Sequence, residues 1–229
     1  MEIKRIIVAI DGPASSGKST TAKRLAKKLN CIYVDSGAMY RAVALFLLQN
    51  KIDFTDKKLL RKALSEINIE IVPSKGQGEN KIILNGVDVS KMIREPEITD
   101  YSSTIATESL IRQRMVELQR KMAETQSIVM DGRDIGTVVF PQADFKFFLV
   151  ASIDERARRR WQENQQKGLG TKTPDEIKHE LAFRDKRDST RKIAPLKKAK
   201  DAIEIDTTNL SIQQQVDEIF GIIKDEIFL

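Results

Sequence analysis

The 229-residue sequence predicts an α/β fold built around a parallel sheet. Three observations lead there. Short β-branched runs alternate with helical patterns at the spacing of strand–helix–strand units. The strand-type runs near residues 6–10 and 127–131 are apolar rather than alternating, as strands buried on both faces are. A glycine-bounded loop stands between the first strand and the first helix.

The elements follow in order. Ile3, Ile6, Ile7, Val8, Ala9 and Ile10 make the first strand, and Ala22, Leu25, Ala26 and Leu29 mark a helix stopped by Asn30. A short strand at 32–34 leads through Asp35-Ser36-Gly37 into a helix over 38–49, with Ser36 as candidate N-cap. A helix over 56–67 precedes strands at 69–72 and 81–84, which flank residues 74–80. Asn85-Gly86 is a further turn signal before Val87 and Val89, so this region reads as a compact β-hairpin insertion. One helix is expected over 99–124, strands at 127–131 and 146–150, and a strongly charged helix over 153–167. A flexible break at 168–171 precedes a helix over 174–189, with Thr173 as N-cap and Pro174 in its first turn. A strand at 202–206 and an amphipathic helix over 211–228 close the chain.

Composition narrows the class. Hydrophobic residues at 41% and charged ones at 31% exclude a disordered, collagen-like or coiled-coil chain. The single cysteine, Cys31, excludes an internal disulfide and points to a reducing cytoplasm. The longest apolar run, residues 42–48, falls far short of the roughly 20 residues a membrane-spanning helix needs. The N-terminus lacks a signal-peptide pattern, so a soluble protein is expected. Net charge is +6. Residues 155–200 alone hold 15 Lys+Arg against 7 Asp+Glu, a local +8, which leaves the remainder at −2. Such a patch suits a polyanion, either nucleic acid or the phosphates of a small molecule.

The sequence Gly12-x4-Gly17-Lys18-Ser19, between a hydrophobic strand and a helix, matches the phosphate-binding P-loop at every defined position. Successive backbone N–H groups of Gly12, Pro13, Ala14, Ser15, Ser16, Gly17, Lys18, Ser19 and Thr20, proline excepted, can form an anion nest at the positive end of the following helix. Lys18 reaches β- and γ-phosphates, and Ser19 offers a hydroxyl to Mg²⁺. Asp-x-x-Gly, an element that a GTPase switch needs, does not occur. Ile128-Val129-Met130-Asp131 supplies an acidic residue after an apolar strand, but Arg133 and Asp134 follow at once. That combination favours a small-molecule kinase over a motor. An acceptor that is itself a phosphate needs a second, arginine-rich site, and Arg41, Arg112, Arg114, Arg133, Arg184, Arg187 and Arg191 are available for one.

Four segments carry a resemblance: the loop Gly12 to Ser19, Asp35-Ser36-Gly37-Ala38-Met39-Tyr40-Arg41, Asp131-Gly132-Arg133-Asp134 with the following Ile135 to Pro141, and Arg184-Asp185-x-x-Asp188-x-x-Arg191-x-x-Ala194-Pro195-Leu196. Together they resemble the bacterial-type cytidylate kinases, members of the P-loop nucleoside monophosphate kinases, from Ile6 almost to the C-terminus. The resemblance implies a three-layer P-loop fold with a parallel sheet and a single kinase unit in three parts. These are a core (1–36, 97–152 and 195–229), a monophosphate-binding insertion containing the β-hairpin (37–96), and a helical lid (153–194). It implies ATP as donor, Mg²⁺ as cofactor, and in-line transfer to CMP or dCMP. Tyr40, Arg41, Arg112 and Arg133 would surround the acceptor phosphate or nucleoside. Ser36, Ser103 and Asp134 would face the cytosine edge, with adjacent Ser102 the alternative to Ser103. Arg184 and Asp188 would face the pentose and Arg191 a phosphate. The implied catalytic set is Lys18, Arg133, Arg158, Arg159 and Arg191. A carboxylate such as Asp134 suits cytosine's exocyclic amine, whereas uracil's carbonyl would be disfavoured.

The basic run Glu155-Arg156-Ala157-Arg158-Arg159-Arg160, followed by Gly168 and Gly170, resembles the family's lid, which would cover the transferring phosphoryl group and exclude water. His179 reads as a surface residue, and Cys31, Trp161 and the methionines as packing. Rival acceptors are AMP, UMP and shikimate. A nucleic-acid-binding P-loop protein is the rival from another class, disfavoured because only Trp161 and Phe183 interleave the basic stretch. The expected state is a monomer with no stable nucleic-acid partner and no membrane association.

Overall fold

The computed structural model describes residues 5–73, 80–168 and 170–227. In chain order it contains β1 (Ile7–Asp11), α1 (Lys18–Lys28), β2 (Ile32–Asp35), α2 (Ser36–Gln49), α3 (Lys57–Glu66), β3 (Ile69–Val72), β4 (Lys81–Leu84) and β5 (Val87–Asp88). Then come α4 (Pro96–Ile105), α5 (Ser109–Met122), β6 (Ile128–Gly132), β7 (Phe145–Val150), α6 (Ile153–Gln166), α7 (Pro174–Thr190), β8 (Ile203–Asp206) and α8 (Ile212–Ile227).

The chain divides into two compact units, Met1–Cys31 with Ser127–Leu229, and Ile32–Gln126. The larger sheet has the strand order β2-β6-β1-β7-β8. Within the first unit β1 runs parallel to both β6 and β7, and β7 runs parallel to β8. The register sets Ile10 beside Asp131 and Asp11 beside Gly132. Val8, Ala9, Ile10, Ile128, Val129 and Met130 are essentially inaccessible, as their unbroken apolar runs require of strands covered on both faces. Parallel pairing aligns the carboxyl ends of these strands, which is where an open α/β sheet presents its loops.

In the second unit β3, β4 and β5 form a small antiparallel sheet. Asn85 and Gly86 turn between β4 and β5 with φ of 49° and 83°, the pair of positive values that a two-residue primed hairpin needs. Most of the expected turn between β3 and β4, residues 74–79, lies outside the described residues, as do Ile3, Leu169 and Phe228.

Two local expectations are corrected. The helix expected over 99–124 is two helices, α4 and α5. At the junction Thr107 donates its hydroxyl to the Thr104 carbonyl, and extended Glu108 accepts from the Leu110 N–H, starting a new helix. Side-chain capping of this kind competes with continuation of a helix. The N-cap of α2 is Asp35 rather than Ser36, because Asp35 accepts from the Ala38 N–H at 2.9 Å while Ser36 lies within the helix, buried. Thr173 does cap α7, in a reciprocal capping box with Glu176.

Candidate active site

In the first unit β1 delivers the chain into the loop, and the loop's shape excludes side chains at its start. Gly12 has φ +153°, and a Cβ there would sit 2.2 Å from the Leu149 carbonyl oxygen. Gly17 caps α1 without a side-chain hydrogen bond, so the first N–H groups of the helix face the loop, as anion binding requires. Lys18 is buried, and its Nζ donates to the Pro13 carbonyl at 3.1 Å. Ser19 donates its hydroxyl to Asp131 Oδ2 at 2.6 Å. This hydroxyl and carboxylate form the kind of small oxygen set that Mg²⁺ uses beside phosphates and water. No cluster of three or more His, Cys, Asp or Glu suited to a metal occurs among the described residues.

A cavity of about 390 Å³ opens beside the loop, bounded by Ser15, Gly17, Thr20, Arg159, Leu210 and Ile212. Two buried residues that sequence reasoning passed over brace this side. Gln215 accepts from the Thr21 hydroxyl at 2.7 Å and donates to the Leu210 carbonyl. The Thr207 hydroxyl lies 2.9 Å from both the Ser16 and Val150 carbonyls and accepts from Arg159.

Five of the expected acceptor residues converge in the same unit. Arg133 donates from Nε to Asp188 at 2.9 Å, and Arg191 from Nη2 to Asp134 at 3.3 Å, the latter pair almost fully buried. The loop after β6 is thus tied by two ion pairs to α7 and to the residue that follows it. Burial opposes the Asp188 charge, but Arg133, Arg184 and Arg191 outweigh it and hold the carboxyl below its ordinary range. Burial pushes Arg184 down to about 10, and Arg133, Arg160 and Arg187 around it act in the same direction. Such crowding of cations favours an anion among them. Of the expected lid arginines, Arg158 and Arg159 both bond Glu155, and Arg158 is half exposed.

Asp11 is a further residue missed in the sequence. It is buried, and its two oxygens accept from the Ile135 and Gly136 N–H groups at 2.9 and 2.8 Å, which fixes the π-helical turn Ile135–Val139 directly after Asp134. The one available signal was a carboxylate ending a buried strand. Burial pushes its pKa up to about 7, with the two backbone bonds offsetting part of the rise. A carboxyl raised in the fold contributes stability that is complete below about 3.8 and is lost as pH rises through about 7. Asp11→Asn should therefore flatten the pH dependence of stability between about pH 4 and 7 in urea titrations. Parallel profiles for the two proteins would contradict it.

In the second unit Ser36 is buried, and Arg41 pairs with Asp35 at 3.0 Å. Arg112 is buried, donates to the Ala106 carbonyl and lies 5.9 Å from the centre of the Tyr40 ring, within cation–π range. Ser102 is buried and Ser103 half-buried, and both donate to the Thr99 carbonyl, at 2.7 and 3.4 Å. Arg114 turns instead to the Ile67 carbonyl and Glu117.

A parallel sheet with this loop at the carboxyl end of β1, and Asp131 beside Ser19, defines a P-loop kinase. The chain belongs to the cytidylate kinase family, whose model matches residues 8–225. Cytidylate kinases of Bacillus thuringiensis (strain Al Hakam) and Bacillus cereus (strain AH187) are each 48% identical to it over 220 residues, 96% of this chain and 96% of theirs. The crystal structure of an uncharacterized protein from Eubacterium ventriosum ATCC 27560 covers 96% of this chain and 99% of its own with a TM-score of 0.51. At 16% identity this is a likeness of fold alone. No helix among the described residues is long and apolar enough to cross a membrane.

Proposed function

We propose that the chain transfers the γ-phosphoryl group of ATP directly and in line to CMP and dCMP. The observation that carries this is the complete phosphate loop, with Ser19 bonded to Asp131, in a chain of the cytidylate kinase family. The backbone N–H groups of residues 12 and 14–20 bind the donor phosphates and Lys18 neutralises their charge. Ser19 and Asp131 would hold Mg²⁺, which would supply further neutralisation of the donor phosphates' charge. Arg133, Arg158, Arg159 and Arg191 meet charge that develops during transfer. Ser36, Tyr40, Arg41, Ser103, Arg112, Arg133, Asp134, Arg184, Asp188 and Arg191 serve the acceptor. Asp134 accepts from the cytosine amine, and Arg184 and Asp188 hold the pentose. In functional terms residues 37–96 form the monophosphate-binding region, 153–194 the lid, and the remainder the core.

The basic stretch is assigned to this chemistry and not to nucleic acid, because Arg156, Arg159 and Arg191 are already directed inward onto Asp185, Glu155 and Asp134. We take the chain to act as a cytoplasmic monomer. A coupled assay for ADP with ATP, Mg²⁺ and CMP, dCMP, UMP or AMP in turn should show CMP and dCMP preferred. The same preparation should elute from a sizing column as a monomer with or without an oligonucleotide. Preference for AMP, or no turnover with any monophosphate, overturns the assignment.

A further inference from the structure

Arg156 opens the basic run that the sequence assigned to the lid, yet it points inward and is buried. Its Nε donates to the Ala151 carbonyl at 3.1 Å. Its Nη1 donates both to the Ala14 carbonyl of the phosphate loop at 3.3 Å and to Asp185 Oδ2 of α7 at 2.7 Å. One planar guanidinium thus spans the loop, the start of α6 and the middle of α7, a geometry that a lysine's single point charge does not reproduce. Packing makes the same connection independently. The buried Ala14 methyl joins Ala157 of α6 with Ile177 and Leu181 of α7 in one apolar cluster, flanked by Ile153 and Trp161.

Asp185 follows Arg184 directly and stands three residues before Asp188. Its other oxygen, Oδ1, is buried and has no hydrogen-bond partner among the described residues. Arg156 is therefore the hydrogen-bonded support of this carboxylate, and removing one member of such a pair leaves the other as a desolvated charge. Asp185 ties α7 to Arg156, and α7 carries Arg184 and Asp188 with Arg191 directly after it; Asp188 pairs with Arg133 and Arg191 with Asp134.

We propose that Arg156 is a positioning residue that joins the donor-phosphate loop to the acceptor-facing side of α7, so that filling the loop with phosphates tightens the hold on the monophosphate. This rests on the assignment of α7 to the acceptor given above.

The test is calorimetric titration of CMP with and without a nonhydrolysable ATP analogue. The native chain should bind CMP about five- to tenfold tighter with the analogue present, an ordinary size for coupling between two sites. In Arg156→Lys and in Asp185→Asn that ratio should shrink to within about twofold, and the double variant should match the singles, since all three break one shared contact. A thermal melt accompanies each variant, and the two single variants give the same readout should one of them fail to fold. An unchanged ratio in a folded Arg156→Lys protein overturns the proposal, as does the absence of tightening in the native chain. Asp188→Asn separates the two readings. If it leaves CMP binding intact, the assignment of α7 to the acceptor falls. If it weakens CMP binding while Arg156→Lys keeps the full ratio, the linkage alone falls.

Discussion

Replacing Lys18 with methionine should lower kcat by about a thousandfold or more, the scale of removing a preorganised charge from a developing transition state. Methionine preserves most of the aliphatic stem, so the buried volume beside the loop changes little and the melting temperature should stay close to that of the native chain. The effect is large because Lys18 is already organised. It is the first residue of α1, it is buried, and its ammonium is held over the loop by the Pro13 carbonyl. No ordering cost then falls on the transition state. Steady-state kinetics with ATP and CMP, together with a circular-dichroism melt, check this. A loss of less than about tenfold in a folded variant would assign the phosphate-neutralising role elsewhere.

The second large effect is expected at Asp134. Asp134→Ala should raise the KM for CMP by about 10- to 100-fold, the range of discrimination carried by one good base contact, and leave the KM for ATP within about threefold. Asp134→Asn sharpens the test. A carboxylate only accepts, whereas an amide also donates, so the Asn variant should meet the uracil carbonyl and lower the preference for CMP over UMP. Structural support for Asp134 comes from both directions. Arg191, the residue after α7, holds its carboxylate and is itself held on the Ala194 carbonyl at 2.6 Å. Asp11 fixes the two N–H groups that follow. Equal losses for ATP and CMP in Asp134→Ala would show that the residue supports the whole site and does not read the base.

Much of this site was legible because its information is contiguous. Gly12 to Ser19 carries its own turn residues, its cation and its hydroxyl, and the flanking apolar strand and helix announce themselves by periodicity. The β4–β5 turn at Asn85-Gly86 and the Thr173 cap were equally local. Illegible features had no punctuation or had distant partners. Residues 106–108 contain neither glycine nor proline, so the break between α4 and α5 was hidden in an unbroken helical pattern. Asp35 and Ser36 are both able caps, and only the path of the chain out of β2 selects the first.

The sequence by itself determined the fold class, the phosphate loop and the chemical kind of ligand, since each depends on residue types within one short window. Only the tertiary structure decided which side chains complete the site. Asp11 meets its partners 124 and 125 residues away, Ala14 meets Arg156 across 142, and Thr21 meets Gln215 across 194. Parallel pairing aligns the carboxyl ends of the strands from which those segments run, and no local pattern records that order. The +8 stretch shows the same division. In the sequence it is an open cationic patch, but in the fold Arg156, Arg159 and Arg191 turn inward and each meet a carboxylate. Buried charges must be paired, and only a fold can say with what.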